Sequence, residues 1–268
     1  MKNSLAADLY IILVFLFTTI SMLLGNESLM YLSLLVLGIA AFIFQKFVHA
    51  RPIRELGYKR PSTQYIIYAI VFPLTAILFI GGIGFIMGWI QGVFPETFLS
   101  SINLPFKGSW LLLILIFVLF QWILTALINL VTEELIFRGY ILNRFRNLGT
   151  RKAVLISSLL FGLWHVPVAI LIIKSGWLRA GVYAVNISLL GLVFGWLLVK
   201  SKSLIPPCIA HGLWNALEYT FWGMGNQTGV FPGTHRILFD PEEGAAGTLV
   251  LLIFSLLILI NLKKNRNQ

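Results

Sequence analysis

Three stretches of this 268-residue sequence set ionisable side chains at helical spacing among apolar neighbours. The first is Thr132-Glu133-Glu134-Leu135-Ile136-Phe137-Arg138, the second Phe161-Gly162-Leu163-Trp164-His165, and the third His211-Gly212-Leu213-Trp214-Asn215, with Glu218 beyond it. Glu134 and Arg138 are four residues apart and can pair on one helix face, and the same spacing joins Phe161 to His165 and His211 to Asn215. Glu133 projects about 100° round the helix from Glu134, so the two carboxylates need not share a task. One can be held by Arg138 while the other turns to a cavity.

The chemistry that such a group permits is hydrolysis. A carboxylate can act as general base on a water, a histidine can share that water or bind a metal, and a His with an Asn can hydrogen-bond a developing oxyanion. A set of Glu133, His165 and His211 also has the donor types of a catalytic zinc shell. No His-Glu-x-x-His helix occurs, so an ordinary zincin is excluded.

Each residue has a structural reading as well. Glu134 with Arg138 could be a buried ion pair, His165 a hydrogen-bonded core histidine before Pro167, and His211 with Asn215 a bond between helices. Glu133 has no local partner in the sequence, and an unpaired carboxylate within a membrane span is a functional candidate by default. Glu218, two turns past His211, reads as structural. His49 and His235 fall in or beside loops and are given no role.

The elements that must hold these residues are membrane helices. The chain is 58% hydrophobic and only 11% charged, with a mean hydropathy of +0.89; soluble domains carry about a quarter charged residues. Runs long enough to cross the hydrocarbon lie near 9–25, 29–48, 65–93, 109–142, 153–173, 178–199, 204–222 and 245–262. The fold class expected is all-α: a polytopic membrane protein of about eight transmembrane helices in a single embedded domain over 1–268, with a motif-bearing core at about 109–222. The third and fourth runs exceed one bilayer thickness, and Pro73 interrupts the third. The first is read as a retained helix rather than a signal peptide.

Orientation follows from the basic residues. With both termini cytoplasmic, 15 of the 20 Lys and Arg fall inside, only Lys107, Lys174, Arg179 and Arg236 fall outside, and Arg138 sits in a helix. That asymmetry also explains the net charge of +10 without nucleic acid. Counting along the helices from the cytoplasmic ends, Glu134 lies roughly 12 Å in, His165 roughly 18 Å and His211 roughly 10 Å. Three separate helices thus bring their polar groups to similar depth, and hydrolysis there requires a polar cavity, expected to open to the cytoplasm. The segment from Gly223 to Gly244, with Asp240, Glu242 and Glu243, reads as a surface loop. The single cysteine, Cys208, excludes an intramolecular disulfide and a cysteine zinc site.

Glu133-Glu134-x-x-x-Arg138, Phe161-x-x-x-His165 and His211-x-x-x-Asn215, in that order on separate helices, resemble the motifs of the CPBP family. These are the type II CAAX prenyl proteases and bacteriocin-processing membrane proteases, also called the Abi family. The stretch Gly191-Leu192-Val193-Phe194-Gly195 is loosely similar to the family's sixth-helix motif and equally suits close helix packing. The resemblance implies a cell-membrane endopeptidase acting near the C-terminus of a peptide or lipidated protein, prenylated or not. In that reading Glu133 activates the water with His165, Glu134 supports it and pairs with Arg138, and His211 with Asn215 stabilises the oxyanion. The family is described both as metal-dependent and as metal-independent, so a divalent metal such as zinc, on His165, His211 and Glu133, and no metal at all both stay open. Two readings compete with the peptidase: a non-catalytic bacteriocin-immunity or scaffolding protein of the same fold, and a transporter using the carboxylates as a proton relay.

Overall fold

The structure, a computed structural model, describes residues 2–25, 27–90, 92–103, 109–223, 227–231 and 236–264. Among the described residues there is no strand. In lipid every backbone N–H and C=O must be satisfied within its own segment, and helices do this.

The long helices are α1 (Lys2–Leu23), α2 (Glu27–Ile43), α3 (Thr63–Ile86), α5 (Trp110–Asn129), α7 (Thr150–Pro167), α8 (Trp177–Ser201), α9 (Ile205–Phe221) and α11 (Ala245–Lys264). Short helices α4 (Pro95–Ser101), α6 (Leu142–Arg144) and α10 (Arg236–Phe239) lie between them. The eight expected runs are all helical, but among the described residues seven helices, not eight, are long and apolar enough to cross a membrane. The eighth, α9, is 17 residues long and is packed inside the protein. Its motif residues and its two prolines shorten the run, and its burial is supplied by protein rather than lipid. The protein is a multi-pass membrane protein.

Two further boundaries differ from the sequence reading. The third run stops at Ile86 rather than near residue 93, because Met87 and Gly88 turn the chain and the N–H groups of Trp89 and Ile90 both donate to the carbonyl of Gly84. Pro73 lies inside α3 without ending it.

The long fourth run is not one helix. It breaks after Asn129, with a turn over residues 130–132, and resumes as a buried π-helix, Leu135–Ile141, which runs into α6. Thr132 supplies the join: its hydroxyl donates to Ile128 O at 2.9 Å, and its carbonyl accepts from Ile136 N–H at 2.8 Å. All seven residues of the π-helix are buried. The segment is therefore enclosed by protein rather than exposed like the preceding helix, and Glu133 and Glu134 sit at its start. Another π segment, Val168–Ile172, extends α7 beyond Pro167, whose ring nitrogen cannot donate to the α-helical ladder.

α9 begins cleanly because Pro206 and Pro207 occupy its first turn, where the missing N–H groups would be unpaired in any case. Ser203 Oγ accepts from Ile205 N–H at 3.2 Å. The helix then runs against α5 at backbone distance. A Cβ at Gly212 would stand 2.8 Å from both Trp122 O and Ala126 N, so only glycine permits this approach. Trp122 Nε1 donates to Ile209 O at 3.0 Å across the same contact.

Candidate active site

The sites named in the sequence meet where three elements come together: the start of the buried Leu135–Ile141 segment, the last turn of α7 and the middle of α9. Glu134 has no solvent exposure. Its Oε1 forms an ion pair with Arg138 Nη1 at 3.3 Å, one helical turn on, and accepts from His211 Nδ1 at 2.9 Å across to α9. A cation on one side and an imidazole N–H on the other hold this buried carboxylate in place.

Arg138 is fully buried, and among the described residues its ion pair is with Glu134. Its guanidinium also lies 3.9 Å above the ring of Phe161 and 5.3 Å from that of Phe194. These aromatic faces stabilise a cation that has lost its water. Gly191 leaves the space for it: a Cβ there would be 3.2 Å from Arg138 Nη2 and 3.0 Å from Ser158 Cα. The small-residue stretch on α8 thus packs α8 against α7 and houses the arginine.

His165 is fixed by its own helix. Its Nδ1 is 2.8 Å from Phe161 O, and a carbonyl only accepts, so Nδ1 carries the hydrogen. Neutral His165 therefore presents the lone pair of Nε2. His211, held at Nδ1 by Glu134, likewise turns Nε2 away from its anchor and stacks on Phe194 at 5.1 Å. Both Nε2 atoms face Glu133: Oε2 lies 3.9 Å from each. That oxygen is buried and accepts no hydrogen bond from protein. The two adjacent carboxylates are divided as their angular offset implies, Glu134 into the ion pair and Glu133 toward open space.

That space is a cavity of about 880 Å³. Glu133, His165, His211 and Asn215 all line it, with Phe161, and Arg138 and Glu134 stand behind its wall. Its lining runs from Thr132 and Glu133 to Gly25, Lys174 and Gln227, residues that the sequence reading sets at the end away from the basic loops. Leu56, Tyr140, Ile141, Leu142 and Leu204, all with 0% exposure, fill the basic end beneath the site.

The sequence reading of 223–244 as a surface loop is corrected in part. Asp240, Glu242 and Glu243 are buried at 2%, 6% and 4% exposure. Asp240 Oδ1 accepts from the N–H groups of both Glu242 and Glu243, at 2.9 and 2.8 Å, and this turn drives the pair inward. Glu243 binds Arg179 and Ser175, while Glu242 accepts from Trp214 Nε1 at 2.7 Å and lines the cavity. Burial raises the Glu242 carboxyl to about 7. Sequence reasoning missed this residue; the Asp-Pro-Glu-Glu-Gly string directly before an apolar run was its one signal. His235 lies outside the described residues. Glu218 is buried at 4% exposure. His49 bonds Tyr140 Oη at 2.7 Å, away from the cavity.

The conditional metal set does not close as placed. Around a tetrahedral zinc, ligand atoms stand about 3.4 Å apart, against 3.9 Å here from Glu133 Oε2 to each imidazole. Among the described residues no three His, Cys, Asp or Glu side chains come together to hold a metal ion.

Residues 113–217 match a family model described as type II CAAX prenyl endopeptidase Rce1-like. No curated protein is similar enough to the chain to stand as a relative. The match supports a CAAX-protease-type fold over those residues and contains every motif residue from Glu133 to Asn215. Glu242 lies outside the matched residues, so a segment beyond them completes the cavity.

Proposed function

We propose that this protein is an intramembrane endopeptidase that hydrolyses a peptide bond near the C-terminus of a peptide or lipidated protein. The observation that carries this reading is the position of Glu133 Oε2, buried without a protein hydrogen bond and 3.9 Å from the Nε2 atoms of two anchored histidines. A water within hydrogen-bond reach of all three would lie between a base and two imidazoles.

In the reaction Glu133 takes a proton as the water oxygen attacks the scissile carbonyl carbon. His165 accepts the second water hydrogen at Nε2 and so orients the attack. As negative charge grows on the carbonyl oxygen, it is met by Asn215 Nδ2–H and by His211, when the imidazole carries both protons and its charge is balanced by Glu134. That arrangement follows the logic of a carboxylate that orients and supports an imidazolium. Collapse of the intermediate breaks the C–N bond, and the proton on Glu133 passes to the leaving amine. One water and one peptide bond thus give a carboxylic acid and an amine.

The Rce1-like match and the apolar upper cavity wall, with Leu124, Ile128 and Leu171, support an apolar or lipid-modified substrate. The test is cleavage of a labelled prenylated peptide ending in a CAAX sequence by the purified protein, beside Glu133→Ala and His165→Ala variants of matched folding. Release of the last three residues by wild type alone is expected. Equal cleavage by Glu133→Ala would overturn the mechanism, and no cleavage by folded wild type would overturn the CAAX substrate.

A further inference from the structure

The basic end of the bundle holds a second concavity, distinct from the cavity around Glu133. Three distant segments are tied together there. Leu204 N–H donates to Gly57 O at 2.9 Å, Ser203 Oγ to Lys59 O at 2.5 Å, and Asn143 Nδ2 to Glu55 O at 2.9 Å. Between them lies a cavity of about 260 Å³ whose walls include Arg51, Arg54, Lys59, Arg144, Arg146 and Lys202. Glu55 is the single carboxylate among its lining residues, and it pairs with Arg51 at 3.5 Å.

The positive-inside rule accounts for cations on these loops but not for their convergence on one hollow, since loops in water lower their repulsion by spreading charge. Here the backbone bonds prevent spreading. The field is felt by its neighbours: His49, displaced downward chiefly by burial, is lowered further by Arg144 and Arg51.

Arg144 is set in place before any ligand arrives. Its Nη2 donates to Gln45 Oε1 at 3.0 Å, and Gln45, fully buried, is itself fixed through Nε2 to Pro52 O at 3.0 Å. An amide orients the guanidinium without neutralising it. Arg144 Nε is buried and has no hydrogen-bond partner. Lys202 closes the rim from a left-handed backbone conformation, φ 56°, at the end of α8.

We propose that this pocket binds a phosphate group, either on the headgroup of an anionic phospholipid or free in solution. Guanidinium forks match phosphate oxygens in pairs, and basic pockets at the ends of membrane helices bind anionic headgroups. The volume suits a headgroup rather than a larger ligand. The pocket is continuous with the segment that carries Glu134 and Arg138, so an occupant fastens the far end of that segment to the loop at 51–59.

The experiment uses the full protein purified in detergent. Native mass spectrometry with added phosphatidylglycerol or phosphatidylcholine measures lipid retention, and thermal unfolding in inorganic phosphate or chloride at equal ionic strength measures the free anion. The variant Arg54→Gln/Lys202→Gln removes two exposed wall charges. Arg151→Gln/Lys152→Gln, on the same end but outside the pocket, is the control. Each wall charge is expected to matter about fivefold, so the pocket variant retains phosphatidylglycerol roughly 25-fold less well while the control matches wild type. Stabilisation by inorganic phosphate that the pocket variant lacks, without preference for phosphatidylglycerol, assigns the site to free phosphate. Should the double variant not fold, Arg144→Lys keeps the charge and removes the fork, and it must weaken either ligand. Equal loss in the control, or no response of wild type to either ligand, overturns the proposal.

Discussion

His211 Nδ1 stands 2.9 Å from Glu134 Oε1, and this hydrogen bond joins α9 to the start of the buried Leu135–Ile141 segment at the site. It makes Glu134 a residue of assembly, whereas Glu133, adjacent in sequence, has no such bond. The two glutamates should therefore fail in different ways.

Glu133→Gln is expected to fold with a melting temperature near that of wild type and to lose about 10²- to 10⁴-fold in cleavage rate, the usual size of a general-base effect. Glu134→Ala leaves Arg138 buried without its ion-pair partner and should cost about 3–5 kcal/mol of stability. Thermal unfolding of the two purified variants, read with their peptidase rates, separates these outcomes. A stable, active Glu134→Ala protein would remove Glu134 from the architecture of the site.

Arg138→Lys is not a conservative change here. The lysine keeps the charge but not the plane that lies over Phe161 at 3.9 Å, and a compact ammonium is more strongly hydrated. A loss of about 1–2 kcal/mol is expected, measured by thermal or denaturant unfolding in the same detergent.

Gly212→Ala should displace α9. The new Cβ would meet backbone atoms of α5 at 2.8 Å, and backbone cannot yield as a side chain can. Destabilisation of about 1–3 kcal/mol is expected, with a fall in cleavage because His211 and Asn215 move with the helix. Gly181→Ala on α8, where a Cβ meets nothing within 4 Å, is the control and should be neutral or slightly stabilising.

Glu242 gives a pH signature. Its carboxyl is raised from 4.5 to about 7, mainly by burial and further by Asp240 and Glu133, against the opposing Trp214 N–H and His211. Below its ordinary value the group is neutral in both states and costs nothing. As pH rises toward 7 the unfolded chain gives up the proton first, so stability falls across that window and levels off above it. The melting temperature of wild type should decline between pH 5 and 7 relative to Glu242→Gln. Parallel curves for the two proteins would place the Glu242 carboxyl at its ordinary value.

Much of this was legible in the residues themselves. Helical spacing tied Glu134 to Arg138 and set Glu133 apart, because an α-helix fixes the angle between neighbours whatever surrounds it. The meeting of α7 and α9 residues followed from similar depth along helices of known rise. The break after Asn129 did not, since Leu130, Val131 and the residues after Glu134 are as apolar as a span; apolar sequence alone does not distinguish burial in lipid from burial in protein. Glu242 was hidden for the opposite reason. A run of acids with Pro and Gly has the composition of a solvated loop, and only Trp214, Asn186 and Arg179, on helices far away in sequence, make its burial affordable. The basic pocket had the same character: its cations were counted one loop at a time, and their convergence is a property of the tertiary contacts at Gly57, Lys59 and Asn143.

The inward turn at Asp240 bears on the order in which the molecule can be made. Glu242 and Glu243 take their partners from α8, α9 and the short link before α8, all of them upstream in the chain. A ribosome delivers those elements to the membrane first, with Arg179 and the indole of Trp214 still waiting for their acids. The acids follow only later, immediately ahead of α11, so the part of the cavity wall that Glu242 supplies is completed after the elements that carry Glu133, His165 and His211 have been made.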